Sequence, residues 1–389
     1  MSEALSDRLS ILLVNHGRAA ELVGGDGVQL EATARGLRRR GHQVRVACSD
    51  QPDPAGADLV HIFNARTDQA LAGQLAAVRQ AGLPVVVSPI WIPLGPARWG
   101  MLAARAVLER LQQDPAGGER LLEQLIRRSL ALHCDGELLR AHDCGARMAA
   151  RIERIAGLLA EVEVLLPNSW LELAAVRRDL GWWGTAVEIA PYGVDPRLFS
   201  DPDPEPFRAL SGLRGPFVLQ AGRVEPPKNP AMLLQALRHS PLPVVLAGRH
   251  DIDPAYTALC RAIGGERLQL HGHLSPPLLA SAYAAASVHA LPSWCETCGL
   301  VSLEAALAGT PVVASIAGHE SAYLGADAWY CDPADPDSVR QAVEAALAAG
   351  RSDQRVRRLQ ARVRAEFHWQ AMVEASERSY RLALERRRR

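Results

Sequence analysis

The sequence predicts an α/β protein of two doubly wound, Rossmann-like domains. Three observations carry this. At 389 residues the chain is too long for one ordinary core, and two domains of roughly 150–200 residues are the default division. Short, Val-rich apolar runs alternate with helical stretches along the whole length. The runs are apolar on both faces, as parallel strands buried between covering helices require.

Composition narrows the class. Hydrophobic residues make up 48% and charged residues 22%, the balance of a soluble globular enzyme. The 43 basic side chains match 43 acidic ones, so no global charge draws the chain to nucleic acid. The skew to Arg, Ala, Leu and Gly has the character of a GC-rich bacterial genome. No run of about 18 apolar residues predicts a transmembrane helix. The start, "MSEALSDRLS", carries acids and runs straight into a strand, unlike a signal peptide. Seven cysteines without regular spacing argue for a reducing cytoplasm rather than a disulfide framework.

The first domain is expected over residues 1–195. Its strands are "LSILLVN" (9–15), "QVRVACS" (43–49), "DLVHIF" (58–63), "PVVVSP" (84–89), "VEVLLPN" (162–168) and "VEIAPYG" (187–193). After the first strand, Gly24, Gly25 and Gly27 predict a flexible loop before a helix, where backbone can approach a phosphate. No lysine follows these glycines, so the loop is not a P-loop, nor is it a clean dinucleotide fingerprint. Residues 97–161 break the alternation with long Leu/Ala/Arg runs, interrupted at "DPAGG" (114–118). They predict two or more amphipathic helices inserted between strands of the first domain. Their basic faces suit solvent and salt bridges, with anionic lipid as the sharper alternative.

Pro and Asp cluster in "DPRLFSDPDPEPFRALSGLRG" (195–215), the expected join. The second domain, 196–366, has strands "PFVLQAG" (216–222), "PVVLAG" (243–248), "LQLHG" (268–272), "VHALP" (288–292), "TPVVAS" (310–315) and "AWYC" (328–331). Residues 367–389 predict one helix with a basic end.

Two clusters in the second domain carry chemistry. In "PSWCETCGLVSLEAALAGTPVVAS" (292–315) a strand ends at Pro292 and a helix runs from about Gly299 to Ala308, stopped by Gly309 and Pro311. Such a junction at the carboxyl end of a parallel strand is where open α/β sheets bind ligands, and the helix dipole favours an anion there. Glu296 lies in the loop and Glu304 inside the helix. Two hydroxyl-accepting carboxylates beside an anion-binding N-terminus suit a sugar nucleotide. The plainer alternative is one acid stabilising a helix and one solvated Glu. The second cluster follows "PFVLQAG": Arg223, then Lys228 before the helix "NPAMLLQAL". Lys228 is the only lysine among the 43 basic residues. An arginine fork and a compact ammonium suit a diphosphate.

With these motifs the chain resembles the retaining, metal-independent GT-B glycosyltransferases of family 4. The likeness runs through the Gly-Gly loop, "RGHQV", "DLVHIF", "PNS" (167–169), "APYGVD" (190–195), "GR" (222–223), "KN" (228–229), "PSWCETCGL" and Phe367, Trp369 and Tyr380 near the end. Its specific part is E-x7-E, Glu296 to Glu304, with Arg223 and Lys228. The resemblance implies the GT-B arrangement: two domains facing across a cleft and a C-terminal helix crossing back to the first domain. It also implies a hexose moved from a UDP- or GDP-sugar to a sugar, glycan, lipid-linked or small-molecule acceptor, with no further cofactor and no metal. Arg223 and Lys228 would hold the diphosphate, Glu296 the donor sugar and Glu304 the ribose. Cys298, Gly299 and Leu300 join the donor-binding set, the amides near Gly299 and Leu300 meeting sugar or phosphate. Gly25 would approach the diphosphate, and the base would pack near "HGHL", at His273 and Leu274. The catalytic set is Glu296, Arg223 and Lys228, acting in a front-face displacement. The chain departs from the family at Thr297-Cys298, where Gly-Phe is common. It also lacks a His after the fourth strand; His133 is a substitute candidate and stays outside the catalytic set.

Several features admit competing readings. Of the triplets Asp201–Asp203, Asp251–Asp253 and Asp335–Asp337, only "DID" follows a strand as a metal-binding triplet would. "CETC" has no second pair at zinc spacing. The terminal "RRRR" predicts a solvated tail, with peripheral contact at the inner membrane face as the alternative. Trp91, Trp99 and Trp294 suit either the core or sugar stacking. A nucleotide-sugar epimerase would need an extra acid–base pair that is not seen. A phosphorylase would claim Lys228 for pyridoxal phosphate. A silent GT-B partner subunit should have lost Glu296, Glu304, Arg223 or Lys228.

Overall fold

The computed structural model describes residues 8–20, 24–92, 94–134, 145–184 and 186–388. The chain forms two compact units: Met1–Trp91 with Gly145–Gly193 and Phe367–Arg389, and Ile92–Cys144 with Val194–Glu366.

The first unit is built on a parallel sheet of β1 (Ser10–Asn15), β2 (Gln43–Cys48), β3 (Leu59–Phe63), β4 (Val85–Ser88) and β5 (Val164–Leu165), in the order β2-β1-β3-β4-β5. The interior strand β3 is buried at every residue, as its unbroken apolar run requires, whereas the edge strand β2 is half exposed. The expected strand at 187–193 is only a bridge, Leu165 to Val187. Pro167 and Pro191 bound the two pairing segments, and proline has no N–H to extend a ladder. The expected glycine loop is also shorter than predicted. Gly24 is the N-cap and Gly25 and Gly27 already lie in the first turn of the helix Gly25–Arg39.

The last helix, Trp369–Arg388, belongs to this first unit and packs on Gly25–Arg39. Gly36 has no Cβ, and Val373 fills the space one would need. Tyr380 Oη lies 2.8 Å from His61 Nδ1, whose Nε2 lies 2.9 Å from Ser88 Oγ. Glu377 meets Arg40 at 2.7 Å and His42 at 2.9 Å.

The second unit holds a six-stranded parallel sheet: β6 (Val218–Ala221), β7 (Val244–Ala247), β8 (Leu268–His271), β9 (Val288–Leu291), β10 (Val312–Ser315) and β11 (Trp329–Cys331). The order is β11-β10-β9-β6-β7-β8, so the winding reverses between β6 and β9. Their carboxyl ends form the topological switch point, the preferred ligand position of such sheets.

One segment sits elsewhere than its place in the sequence suggests. Chain order assigns residues 97–161 to the first domain. Helix Gly145–Leu159 does stay there, but helices Leu94–Gln113 and Pro115–Cys134 form a hairpin that packs with the second unit. Ala104, Val107, Leu108, Leu111 and Leu125 share one buried cluster with Met232, Leu233, Tyr256 and Trp294. Arg105 bonds Asp253 at 2.7 Å, and Ser129 Oγ donates to Asp332 Oδ1 at 2.9 Å. No helix among the described residues is long and apolar enough to cross a membrane.

Candidate functional site

Arg223, Lys228 and Glu296 all lie just beyond the carboxyl ends of β6 and β9, on the two sides of the switch point. After β6 the chain passes Arg223 and tightens into a 3-10 turn, Pro226–Lys228, before the helix Pro230–Ala236. The turn reverses at Asn229, which takes the left-handed conformation at φ 56. The buried Asn229 amide offsets the cost of that geometry. Its Nδ2 donates to Pro292 O at 3.0 Å and Pro333 O at 2.8 Å, tying the loops after β6, β9 and β11 together. Gln220 Nε2 donates to Lys228 O at 2.8 Å from below.

Lys228 Nζ donates to Glu296 Oε1, and Ser293 Oγ lies 3.1 Å from the same oxygen. Glu296 is 8% exposed, so this carboxylate meets its cation in a largely dry site. Burial alone would lower the Lys228 pKa, but the Glu296 charge and hydrogen bond outweigh it and leave the ammonium held above its ordinary value. Arg223 is turned aside, with Nη2 2.8 Å and Nε 2.9 Å from Glu225 Oε1.

The helix Leu300–Leu307 starts where the sequence predicts. Its N-cap, Gly299, has φ 64, and the Glu320 carboxylate occupies the place a Cβ would take. Sequence reasoning misses Glu320. It is fully buried and accepts from Ser302 Oγ at 2.7 Å. Burial first, then the Glu296 charge, pushes its pKa up, against the Ser302 hydrogen bond and Lys228. The sequence carries no periodic signal for an acid in the loop "AGHES"; only the fold brings it under Gly299.

Glu304 lies in the second turn of the helix and is not paired with Glu296. It accepts from Tyr283 Oη at 3.0 Å. Burial raises its pKa to about 7, with the Tyr283 hydrogen bond acting the other way. Cys298 and Gly299 are buried, Leu300 is half-buried, His273 is exposed and Leu274 is buried in the loop after β8. Gly25 is exposed on the first unit.

The remaining candidates have structural employment. Asp251 pairs with Arg249 at 3.0 Å, while Asp253 caps helix Pro254–Gly264 and holds Arg105. Asp335 caps helix Pro336–Ala349. Cys295 and Cys298 are not joined in a disulfide. Trp91 and Trp294 are core residues, and Trp99 lies edge-on to Trp294 with centroids 6.4 Å apart. Arg386 to Arg388 are exposed, although Arg387 reaches Glu163 at 3.3 Å; Arg389 lies outside the described residues. His133 falls on the last turn of helix Pro115–Cys134, and its side chain lies outside the described residues.

Residues 215–349 match the family model of glycosyl transferases group 1. A D-inositol 3-phosphate glycosyltransferase of Xylanimonas cellulosilytica is 37% identical over 34% of this chain and 35% of its own. One from Acidothermus cellulolyticus is 29% identical over 60% and 56%. The chain thus spans about a third to just over half the length of these curated relatives. Among solved structures, sucrose-phosphate synthase from Thermosynechococcus elongatus superimposes with a TM-score of 0.71 at 18% identity, over 96% of this chain and 98% of that one. Anabaena HepE in complex with UDP-glucose gives 0.68 at 18% identity, over 95% and 99%. At such identity the likeness is one of fold, and that fold is GT-B. The chain has the GT-B fold, and its residues 215–349 match the family model of glycosyl transferases group 1.

Proposed function

We propose that the chain is a retaining, metal-independent glycosyltransferase that moves a hexose from a UDP- or GDP-sugar to a sugar, glycan or lipid-linked acceptor. The observation that carries this reading is the Lys228–Glu296 pair at the switch point, next to Arg223 and the Gly299 helix N-terminus. The matched family segment and the glycosyltransferase names of the relatives support it. The UDP-glucose held by Anabaena HepE, which shares this fold, supports a nucleotide-sugar donor. A cytoplasmic setting suits the unbridged thiols of Cys48, Cys260, Cys295, Cys298 and Cys331.

In this reading Lys228 and Arg223 neutralise the diphosphate as the glycosidic bond to it breaks. Arg223 exchanges Glu225 for a phosphate oxygen, and Lys228 shares its three donors between Glu296 and a second oxygen. The leaving diphosphate takes the acceptor hydroxyl proton on the same face of the sugar, so the anomeric configuration is kept. Glu296 meets the donor sugar and Glu304 the ribose hydroxyls.

The test is transfer from a panel of UDP- and GDP-hexoses with chelator present, the product anomer being read by NMR. Turnover unaffected by EDTA with retained configuration supports the proposal. An inverted product, or activity lost in EDTA and restored by manganese, overturns its mechanism. Absence of any nucleoside diphosphate effect on thermal stability overturns the donor class.

A further inference from the structure

We propose that the hairpin of helices Leu94–Gln113 and Pro115–Cys134 positions Lys228 and Glu296, through contact of Gly100 with Trp294. Trp294 is 4% exposed and stands two residues before Glu296. Its backbone N–H donates to Pro227 O at 2.9 Å, one residue before Lys228. One residue therefore touches both loops that supply the ion pair. The six-membered edge of its ring lies against Gly100, where an added methyl would overlap Cε3 and Cζ3. Trp99 closes the ring from the side, edge-on at 83°. The Trp294 indole Nε1 has no hydrogen-bond partner among the described residues, so shape and not a polar bond holds the ring in register.

The second helix of the hairpin makes an independent tie. Ser129 Oγ donates to Asp332 Oδ1, and the same oxygen accepts from Ala334 N at 2.8 Å. Between them Pro333 O receives the Asn229 amide, next to Lys228. Both helices thus touch the loops that shape the pair. Gly100 and Trp294 are positioning residues: neither is required to touch a ligand.

The sole lysine makes the arrangement measurable without any ligand. Burial opposes the Lys228 charge and Glu296 sustains it. Separating the two frees amine and speeds acylation. In the full chain, Gly100→Ala should raise Lys228 acylation, read against the N-terminal amine by peptide mapping, by about tenfold, as a fall of about one in its pKa would. Gly100→Ala with Trp294→Phe should return it to the wild-type rate, because the smaller ring restores the space. Gly157→Ala, a helical glycine with open space at its Cβ position, should change nothing. Ser129→Ala should raise the rate by a smaller factor and serves if Gly100→Ala does not fold. Wild-type acylation in both Gly100→Ala and Ser129→Ala, or no rescue by Trp294→Phe, overturns the proposal.

Its bearing on the donor rests on the function proposed above. UDP or GDP affinity should fall about tenfold in Gly100→Ala and recover in the double variant, a loss and return visible by calorimetry. If the wild-type chain binds neither nucleotide, the donor reading fails, and acylation alone still decides the role of the hairpin.

Discussion

Replacing Lys228 by Met removes a cation and leaves the Glu296 carboxylate beside Glu320 in a nearly dry site. Taking one partner from a buried pair costs about 3–5 kcal/mol. The Lys228 side chain is 20% exposed and Ser293 Oγ stays on Glu296, which puts the expected loss at the lower end, about 3 kcal/mol. The variant should therefore unfold about 3 kcal/mol more easily than wild type. Urea unfolding of both proteins measures the difference. A loss under about 1 kcal/mol would refute the buried-pair argument.

Three further outcomes are expected. Glu304 has a folded pKa of about 7, so its stabilising share is present in acid and lost as pH rises through that value; if the ribose binds its carboxylate, UDP or GDP binding at pH 6 should release a proton, seen by calorimetry in buffers of different ionisation heat and absent in Glu304→Gln. Gly299→Ala must hold an L-residue at φ 64 and displace Glu320 from Ser302, and should lose about 2–3 kcal/mol in thermal unfolding; a loss under about 0.5 kcal/mol means the carboxylate yields freely. Asn229→Ala strands the buried Pro292 and Pro333 carbonyls and should cost about 2–4 kcal/mol; Asn229→Gly should lose about 1 kcal/mol less, because glycine holds φ 56 without strain, yet stay below wild type because the amide is missing.

Much of the second unit was legible because its signals are local. Each strand is a short apolar run closed by Gly or Pro, and Gly309 with Pro311 ends the helix after Gly299 within a residue of the expected place. Lys228 and Glu296 stand out by residue type and spacing; that they bond each other does not, since 68 residues separate them. The partner of the 94–134 hairpin was illegible for a different reason. An amphipathic pattern announces that one face is buried but not against what. Val107, Leu108 and Leu111 would satisfy the same pattern on either sheet. The expected strand at 187–193 failed because its partner β5 offers two residues, so a good strand composition had almost no ladder to join. Glu320 and Asn229 act through tertiary contacts alone, a buried carboxylate under a glycine and a left-handed amide between loops.

The hairpin also separates the heritable module from the folding one. The family model covers residues 215–349, yet the cores of Met232, Leu233 and Tyr256 are closed by side chains encoded more than a hundred residues upstream, as the positions of Leu108 and Leu111 attest. A fragment cut at the boundary near Val194 would leave that apolar surface wet and prone to self-association. Swapping second units between relatives, or shortening this chain to its own, therefore calls for two segments. Residues 94–134 have to travel with 194–366, joined by a linker in place of the intervening stretch that holds helix Gly145–Leu159, β5 and helix Trp170–Leu180.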